Sequence, residues 1–230
     1  MRVFARPTGT IVRSCLDDLE MTWRQGERVH PPCSDEPLDG LVLTILSQNT
    51  NDRNRDRAFA SLKARFPSWG EVAAAPLQDI ADTIRSGGIA NIKAQRILQV
   101  LERVRSSFGT YSLQAMHEWE TGRIREFLAG TPGVGAKTIA CVLLFDLGRP
   151  AFPVDTHVAR VSRRLGWADA SMVPEVIQDL MEEIVPPRRY LEAHLNMITH
   201  GRNLCTARKA LCNECPLSDR CPFPEGRSAI

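Results

Sequence analysis

The chain has 230 residues, 43% hydrophobic and 24% charged, with a formal net charge of +2. That length builds one large domain or two small ones without staples, and the composition is that of a globular protein rather than a disordered or fibrous one. No apolar run approaches the roughly 18 residues of a membrane span, the N-terminus lacks a signal-peptide core, and so small a net charge does not by itself mark a nucleic-acid binder.

Leu16, Leu19 and Trp23 at helical spacing predict a short amphipathic helix within the first 29 residues, broken by Pro31-Pro32. Cys15 and Cys33 stand alone and read as structural. From Pro37 onward the pattern is helical. Leu38, Leu41, Val42, Ile45 and Leu46 form a wide apolar face ending at the polar run Ser47 to Asp52. That run closes one helix and caps the next, which carries Ala58, Leu62 and Phe66 and stops at Pro67. Arg53, Arg55 and Arg57 are expected to face solvent there. Pro76 fits the first position of a helix closed by Gly87-Gly88. Ile92, Ile97, Val100, Leu101 and Val104 mark a long amphipathic helix ending near Gly109. Gly122 to Ala129 puts Ile124, Phe127 and Leu128 on one face, and Lys137 to Leu147 is apolar on several sides, as in a buried helix. Val158, Val161 and Leu165 form a further stripe. Pro174 opens a helix carrying Val176, Ile177, Leu180 and Ile184, and Pro186-Pro187 precedes one running from about Arg188 towards Arg202. His194 and His200 read as polar positions on it. No strand-like alternation has useful length, so the fold class is all-α. Arg160, Arg163 and Arg164 cluster, as do Arg202, Arg208 and Lys209; each group reads as a solvated face or a phosphate contact.

The chain is organised around Thr131-Pro132-Gly133-Val134-Gly135-Ala136-Lys137, which joins two helices as a hairpin. Its glycines permit positive φ and close backbone approach, and Val134 can plug the turn onto the helices. Free N–H groups at the start of the second helix, with its dipole, make an anion site, although an ordinary helix–helix turn carries the same Gly-x-Gly. Lys137 falls in the first helical turn, where the dipole disfavours a cation. That setting suits an amine nucleophile as well as a phosphate-contacting lysine. Asp155, eighteen residues later, sits where an N-cap belongs.

A cytosolic compartment is expected, nucleoid-associated in a bacterium, and disulfides are rare there. The seven cysteines then need another explanation. Cys141 reads as a small core residue. Cys205, Cys212, Cys215 and Cys221 are spaced C-x6-C-x2-C-x5-C, and four thiolates this close suit a soft metal centre. Zinc and iron–sulfur clusters both accept four thiolates, and the single C-x2-C disfavours a zinc ribbon, which normally has two.

Pro-Gly-Val-Gly-x-Lys with Val-Asp-Thr-His eighteen residues after the Lys resembles the endonuclease III family of DNA glycosylases, helix-hairpin-helix proteins with a Gly/Pro-rich loop and a downstream Asp. The four-Cys run resembles that family's [4Fe-4S] site. The resemblance covers most of the chain and implies two helical lobes with a DNA-binding cleft between them: a helical barrel over about residues 30–149, and residues 1–29 with 150–230 carrying the cluster loop. It implies that Lys137 attacks the sugar C1′, that Asp155 assists, and that Gly133, Val134 and Gly135 hold the DNA backbone. It further implies that Arg208 and Lys209, in the loop between the first two cluster cysteines, meet phosphates. At the Ser47–Asp52 turn, Gln48 and Asn49 are joint candidates to fill the gap left by a flipped nucleotide, with simple capping as the alternative. A Gln-Asn order also occurs in relatives acting on modified cytosine. Ile89 corresponds to an apolar residue that probes the opposite strand. The expected protein is a monomer on double-stranded DNA containing damaged pyrimidines or abasic sites, excising the base and cleaving the strand through a Lys Schiff base. A monofunctional mismatch or modified-base glycosylase, a non-catalytic DNA-binding protein and a redox-sensing protein are the rivals. The family pattern is broken at Ala90 (usually aromatic), Thr131 (usually Leu), Ala136 (usually larger) and Gln48-Asn49.

Overall fold

The computed structural model describes residues 7–25 and 33–223. The expected break at Pro31-Pro32 and the expected lobe boundary at residues 29–30 lie outside them. The chain divides into two compact units, Pro32–Arg149 and a second that combines Met1–Pro31 with Pro150–Ile230. The described residues form helices and no strand, with one isolated antiparallel bridge between Cys205 and Ala210, so the fold is all-α. No described helix is long and apolar enough to cross a membrane.

Helix α1 (Gly9–Trp23) belongs to the second unit. The first unit opens with α2 (Pro37–Leu46), whose Leu38, Leu41, Val42, Ile45 and Leu46 are fully buried. Pro37 occupies the first helical position, where its missing N–H costs nothing. The Glu36 carboxylate caps the helix by accepting from Leu38 N at 3.1 Å and also accepts from Leu113 N at 2.9 Å. Around α2 pack α3 (Asp52–Arg65), α6 (Ala90–Phe108) and α8 (Ala136–Cys141). Two short helices, α4 (Trp69–Ala74) and α5 (Leu77–Thr83), lie between α3 and α6, and α7 (Thr121–Ala129) precedes α8.

Three expectations need correction in this unit. Pro76 is the cap of α5 rather than its first residue, and α5 ends at Thr83; a separate 3-10 turn, Arg85–Gly87, leads to Gly88. Ile92 is 50% exposed and lies off the core face. The expected helix from Lys137 to Leu147 changes type, with Cys141 followed by a π turn over Val142–Asp146, where Leu147 N donates to Val142 O at 3.0 Å. A π turn inserts one residue per turn and rotates the residues downstream about the helix axis. Here it sets the Asp146 carboxyl against Gly40 of α2, where any Cβ would overlap it. Asp146 is 8% exposed, and burial, with a contribution from the nearby Asp39 charge, pushes its carboxyl up to about 7.

In the second unit, α11 (Tyr190–Asn203) packs against α1 and α9 (Thr156–Arg164), while α10 (Pro174–Ile184) packs on α9. Arg189, at the start of α11, pairs with Asp17 and Glu20 of α1 and with Glu192. Phe152 and Trp167 are buried in this core. Val176 is 47% exposed, so it does not share the buried stripe of Ile177 and Leu180. His194 and His200, expected as polar helix positions, are both buried: the His194 ring Nδ1 bonds Pro153 O at 2.8 Å, and His200 lies on the cysteine loop. Cys15 is buried as expected of a structural thiol, whereas Cys33 is exposed.

Asp146 has a testable pH signature. Folded, it keeps its proton up to about pH 7, whereas unfolded it loses it near 3.8. The folded state therefore binds the extra proton in that window, and stability falls as pH rises through it. Asp146→Asn is predicted to flatten this decline, raising the thermal midpoint more at pH 8 than at pH 5. Equal losses at both pH values would contradict the assignment.

Candidate nucleic-acid interface and cysteine centre

The hairpin is built by backbone geometry. Thr131 is buried, donates its hydroxyl to Phe127 O at 3.0 Å at the end of α7, and accepts Val134 N at 3.2 Å through its carbonyl. The hydroxyl thus fills the place of the expected Leu by satisfying a helix-end carbonyl. Val134 is 7% exposed, as a plug should be. Only Gly133 takes positive φ, at 76°, and a Cβ there would come within 2.9 Å of the Arg96 side chain. Gly135 is extended and exposed as the cap of α8. It has no side chain to cap with, so the first-turn N–H groups of α8 face outward with no side-chain cap. Lys137 is the second residue of that turn and is half-buried. The residue that carries the amine thus lies in the same turn as donors that no side chain caps.

Two other turns in the same unit carry predicted contacts. Asn51, not Gln48 or Asn49, caps α3, accepting Asn54 N at 2.9 Å. Capping of α3 therefore engages neither candidate, and they diverge. Gln48 is half-buried and accepts a hydrogen bond from the Arg96 guanidinium, while Asn49 is exposed at φ 52°. Ile89 is 42% exposed at φ 40°, a backbone region that β-branched residues rarely occupy. The two turns are adjacent: a Cβ on Gly88 would sit 3.8 Å from Asn49 O. Ile92, one turn after Ile89, adds a second exposed apolar side chain. Ala90, where the family carries an aromatic, opens α6.

In the second unit, Asp155 caps α9, its Oδ1 accepting Val158 N at 2.8 Å. The cap anchors the carboxylate at a helix N-terminus, where the dipole favours negative charge. Cys205, Cys212, Cys215 and Cys221 all line one cavity with Leu204, Leu211 and Leu217. Burial pushes the Cys221 thiol up to about 11 and raises that of Cys215. Among the described residues no three His, Cys, Asp or Glu are grouped to hold a single metal ion. The Cys205–Ala210 bridge closes a tight turn, with Thr206 Oγ1 donating to Lys209 O at 2.6 Å, and it displays Arg208 and Lys209 to solvent.

The arginines of α9 are not a solvated face. Arg164 donates to Thr206 O at 2.8 Å and to the Cys205 carbonyl and Sγ, both at 3.3 Å. Arg160 donates to Cys205 O at 3.0 Å and Gly201 O at 2.8 Å. The His200 ring Nε2 lies 3.6 Å from Cys215 Sγ, and burial lowers that imidazole to about 4, so it is neutral near pH 7.

The family profile described as HhH-GPD superfamily base excision DNA repair protein matches residues 42–187. The chain belongs to this superfamily. Within it the chain is endonuclease III-like. It is 32% identical to an endonuclease III of Thermotoga maritima over 188 residues, which is 82% of this chain and 84% of that protein. It is 34% identical over 170 residues to the DNA glycosylase/AP lyase ROS1 of Arabidopsis thaliana, matching 66% of this chain but only 12% of that much longer protein. A solved endonuclease III–DNA covalent intermediate superposes with a TM-score of 0.81 at 28% identity, covering 96% of this chain and 99% of that one. The sequence pattern did not single out Lys93 or Arg96, and it read Ile92, Arg160, Arg164 and His200 in other settings than the structure gives them. Lys93 left a signal, being a charge in register with the buried Ile97, Val100 and Val104.

Arg164 is predicted to hold the 205–210 turn. Arg164→Leu should lower unfolding free energy by about 1–3 kcal/mol and speed tryptic cleavage after Arg208 and Lys209. Arg163→Leu, which loses a bond only to Met172 O, should not change that cleavage. Identical proteolysis in both variants would remove the role.

Proposed function

We propose that this endonuclease III-like protein excises oxidised pyrimidines from double-stranded DNA and cleaves the strand at the resulting abasic site by β-elimination. The observation that carries the reading is Lys137, an amine in the first turn of α8 directly behind a hairpin whose outward N–H groups carry no side-chain cap. The relatives named as endonuclease III and as a glycosylase/AP lyase support it.

The hairpin amides of residues 133–135 hold DNA phosphates, as do Arg208 and Lys209. The damaged nucleotide flips out, and exposed Asn49 fills its place while Ile89 presses on the opposite strand. Gln48, held by Arg96, supports that turn rather than inserting. The Lys137 nitrogen attacks C1′, forming a C–N bond as the glycosidic bond breaks, and the departing base takes up a proton. Asp155 accepts the proton that Lys137 sheds or offsets positive charge on the sugar. Ring opening gives an imine. Loss of a C2′ proton then expels the 3′ phosphate, and water releases the amine.

Cys205, Cys212, Cys215 and Cys221 would hold a [4Fe-4S] cluster. Their soft donors and shared cavity fit such a centre. Such a cluster, once bound, cross-links this segment and supplies no reaction step. Arg164 beside Cys205 and His200 beside Cys215 are suited to steady thiolate charge there.

On a duplex carrying one thymine glycol, the wild type is expected to release the base and nick the strand. Lys137→Ala should lose both by on the order of a thousandfold or more. Base release that survives in Lys137→Ala would overturn the nucleophile assignment and favour a monofunctional glycosylase.

A further inference from the structure

The helix α6 begins at the Ile89 turn, and one turn later it carries a lysine with no exposed surface at all. Lys93 Nζ donates to Leu46 O and to Gly87 O, both at 2.7 Å. Leu46 is the last residue of α2, and Gly87 the last of the 3-10 turn. Each carbonyl stands at the C-terminal end of a helical segment, where intrahelical donors run out and the dipole favours a cation. Each end leads within a few residues to an exposed residue of positive φ, Asn49 on one side and Ile89 on the other.

Burying an ammonium is costly unless hydrogen bonds compensate it, and Lys93 places two of its three donors on carbonyls. An unstrained surface turn needs no such group. Strained backbone persists only where the surroundings over-determine it, and one cation bonded to both preceding helix ends supplies that constraint. Arg96, one turn further along α6, bonds Gln48 and packs under Gly133 of the hairpin. The first two turns of α6 therefore carry side chains that reach three loops.

We propose that Lys93 is a positioning residue that locks the Asn49 and Ile89 turns into one rigid two-pronged unit, so that both tips enter a duplex together. This rests on the reading of the chain as an enzyme acting on duplex DNA. Lys93 touches no substrate; it acts through the two tips. Its contribution therefore exists only where there is a stack to fill and an opposite strand to press on. Single-stranded DNA offers neither.

The test uses the cluster-loaded full chain and an oligonucleotide with one abasic site, cleaved as a duplex and as a single strand. Lys93→Met, which matches the length of the side chain but removes the charge and both bonds, should lower the duplex-to-single-strand rate ratio roughly ten- to hundred-fold. In an Asn49→Ala, Ile89→Ala background the same substitution should change that ratio by less than about twofold, since the tips it positions are gone. Equal loss on both substrates, or additive loss in that background, would reduce Lys93 to a general stability role and overturn the proposal. A wild type that cleaves neither substrate would instead overturn the reading of the function. If Lys93→Met does not fold, hydrogen exchange on the unsubstituted protein decides. The Gln48 and Gly88 amides, bonded to Ile45 O and Arg85 O, should be as protected as the Lys93 amide, and free exchange at either would refute the lock.

Discussion

An α-helix leaves its first four N–H groups and last four carbonyls without partners inside the helix, and a chain of many short helices multiplies those ends. How each end is satisfied is the constraint on which the rest of this molecule depends. At several ends a side chain closes the helix: Glu36 at α2, Asn51 at α3, the Thr131 hydroxyl at the end of α7. At the start of α8, where Gly135 has nothing to cap with, the donors are left pointing outward beside Lys137. Asp155 does both jobs in one residue, closing α9 through one oxygen while holding its carboxylate in a fixed place. The candidate residues of each unit thus lie largely at helix ends, some closed by a side chain and some without one.

The same logic governs charge inside the fold. Lys93 is tolerated at zero exposure because two helix-end carbonyls receive it. Arg160 and Arg164 direct their donors to carbonyls of the segment that enters the cysteine loop, and so shape the turn that presents Arg208 and Lys209. Asp146 is the exception: it lies against Gly40 beside the Asp39 charge, and its carboxyl is accordingly shifted towards neutrality. The π turn that puts it there is an irregularity within the helix carrying Lys137.

The features legible in the sequence were local. The Pro-Gly-Val-Gly turn and the Asp155 cap lie within a few residues each and the four cysteines within one short segment, 205–221, and periodicity located most of the helices. The features that escaped it depend on partners far along the chain. The acceptors of Arg164 lie some forty residues away, so three clustered arginines looked like a solvated face. His200 looked like a polar helix position for the same reason, because the sulfur beside it arrives from a later loop. The π turn has no pattern of its own, since the apolar run from Val142 to Leu144 suits either helix type. Gln48 and Asn49 were inseparable as neighbours in a polar run; the backbone separates them, turning one towards Arg96 and the other outward.

The central claim is that the Lys137 amine becomes covalently joined to the sugar. The direct measurement is borohydride reduction of the cluster-loaded protein on a duplex with one abasic site, followed by digestion and mass mapping of the cross-linked peptide. The account predicts a trapped adduct on Lys137 that is absent from a folded Lys137→Ala variant. A folded wild type that gives no adduct, or an adduct on another amine that survives the substitution, would contradict it.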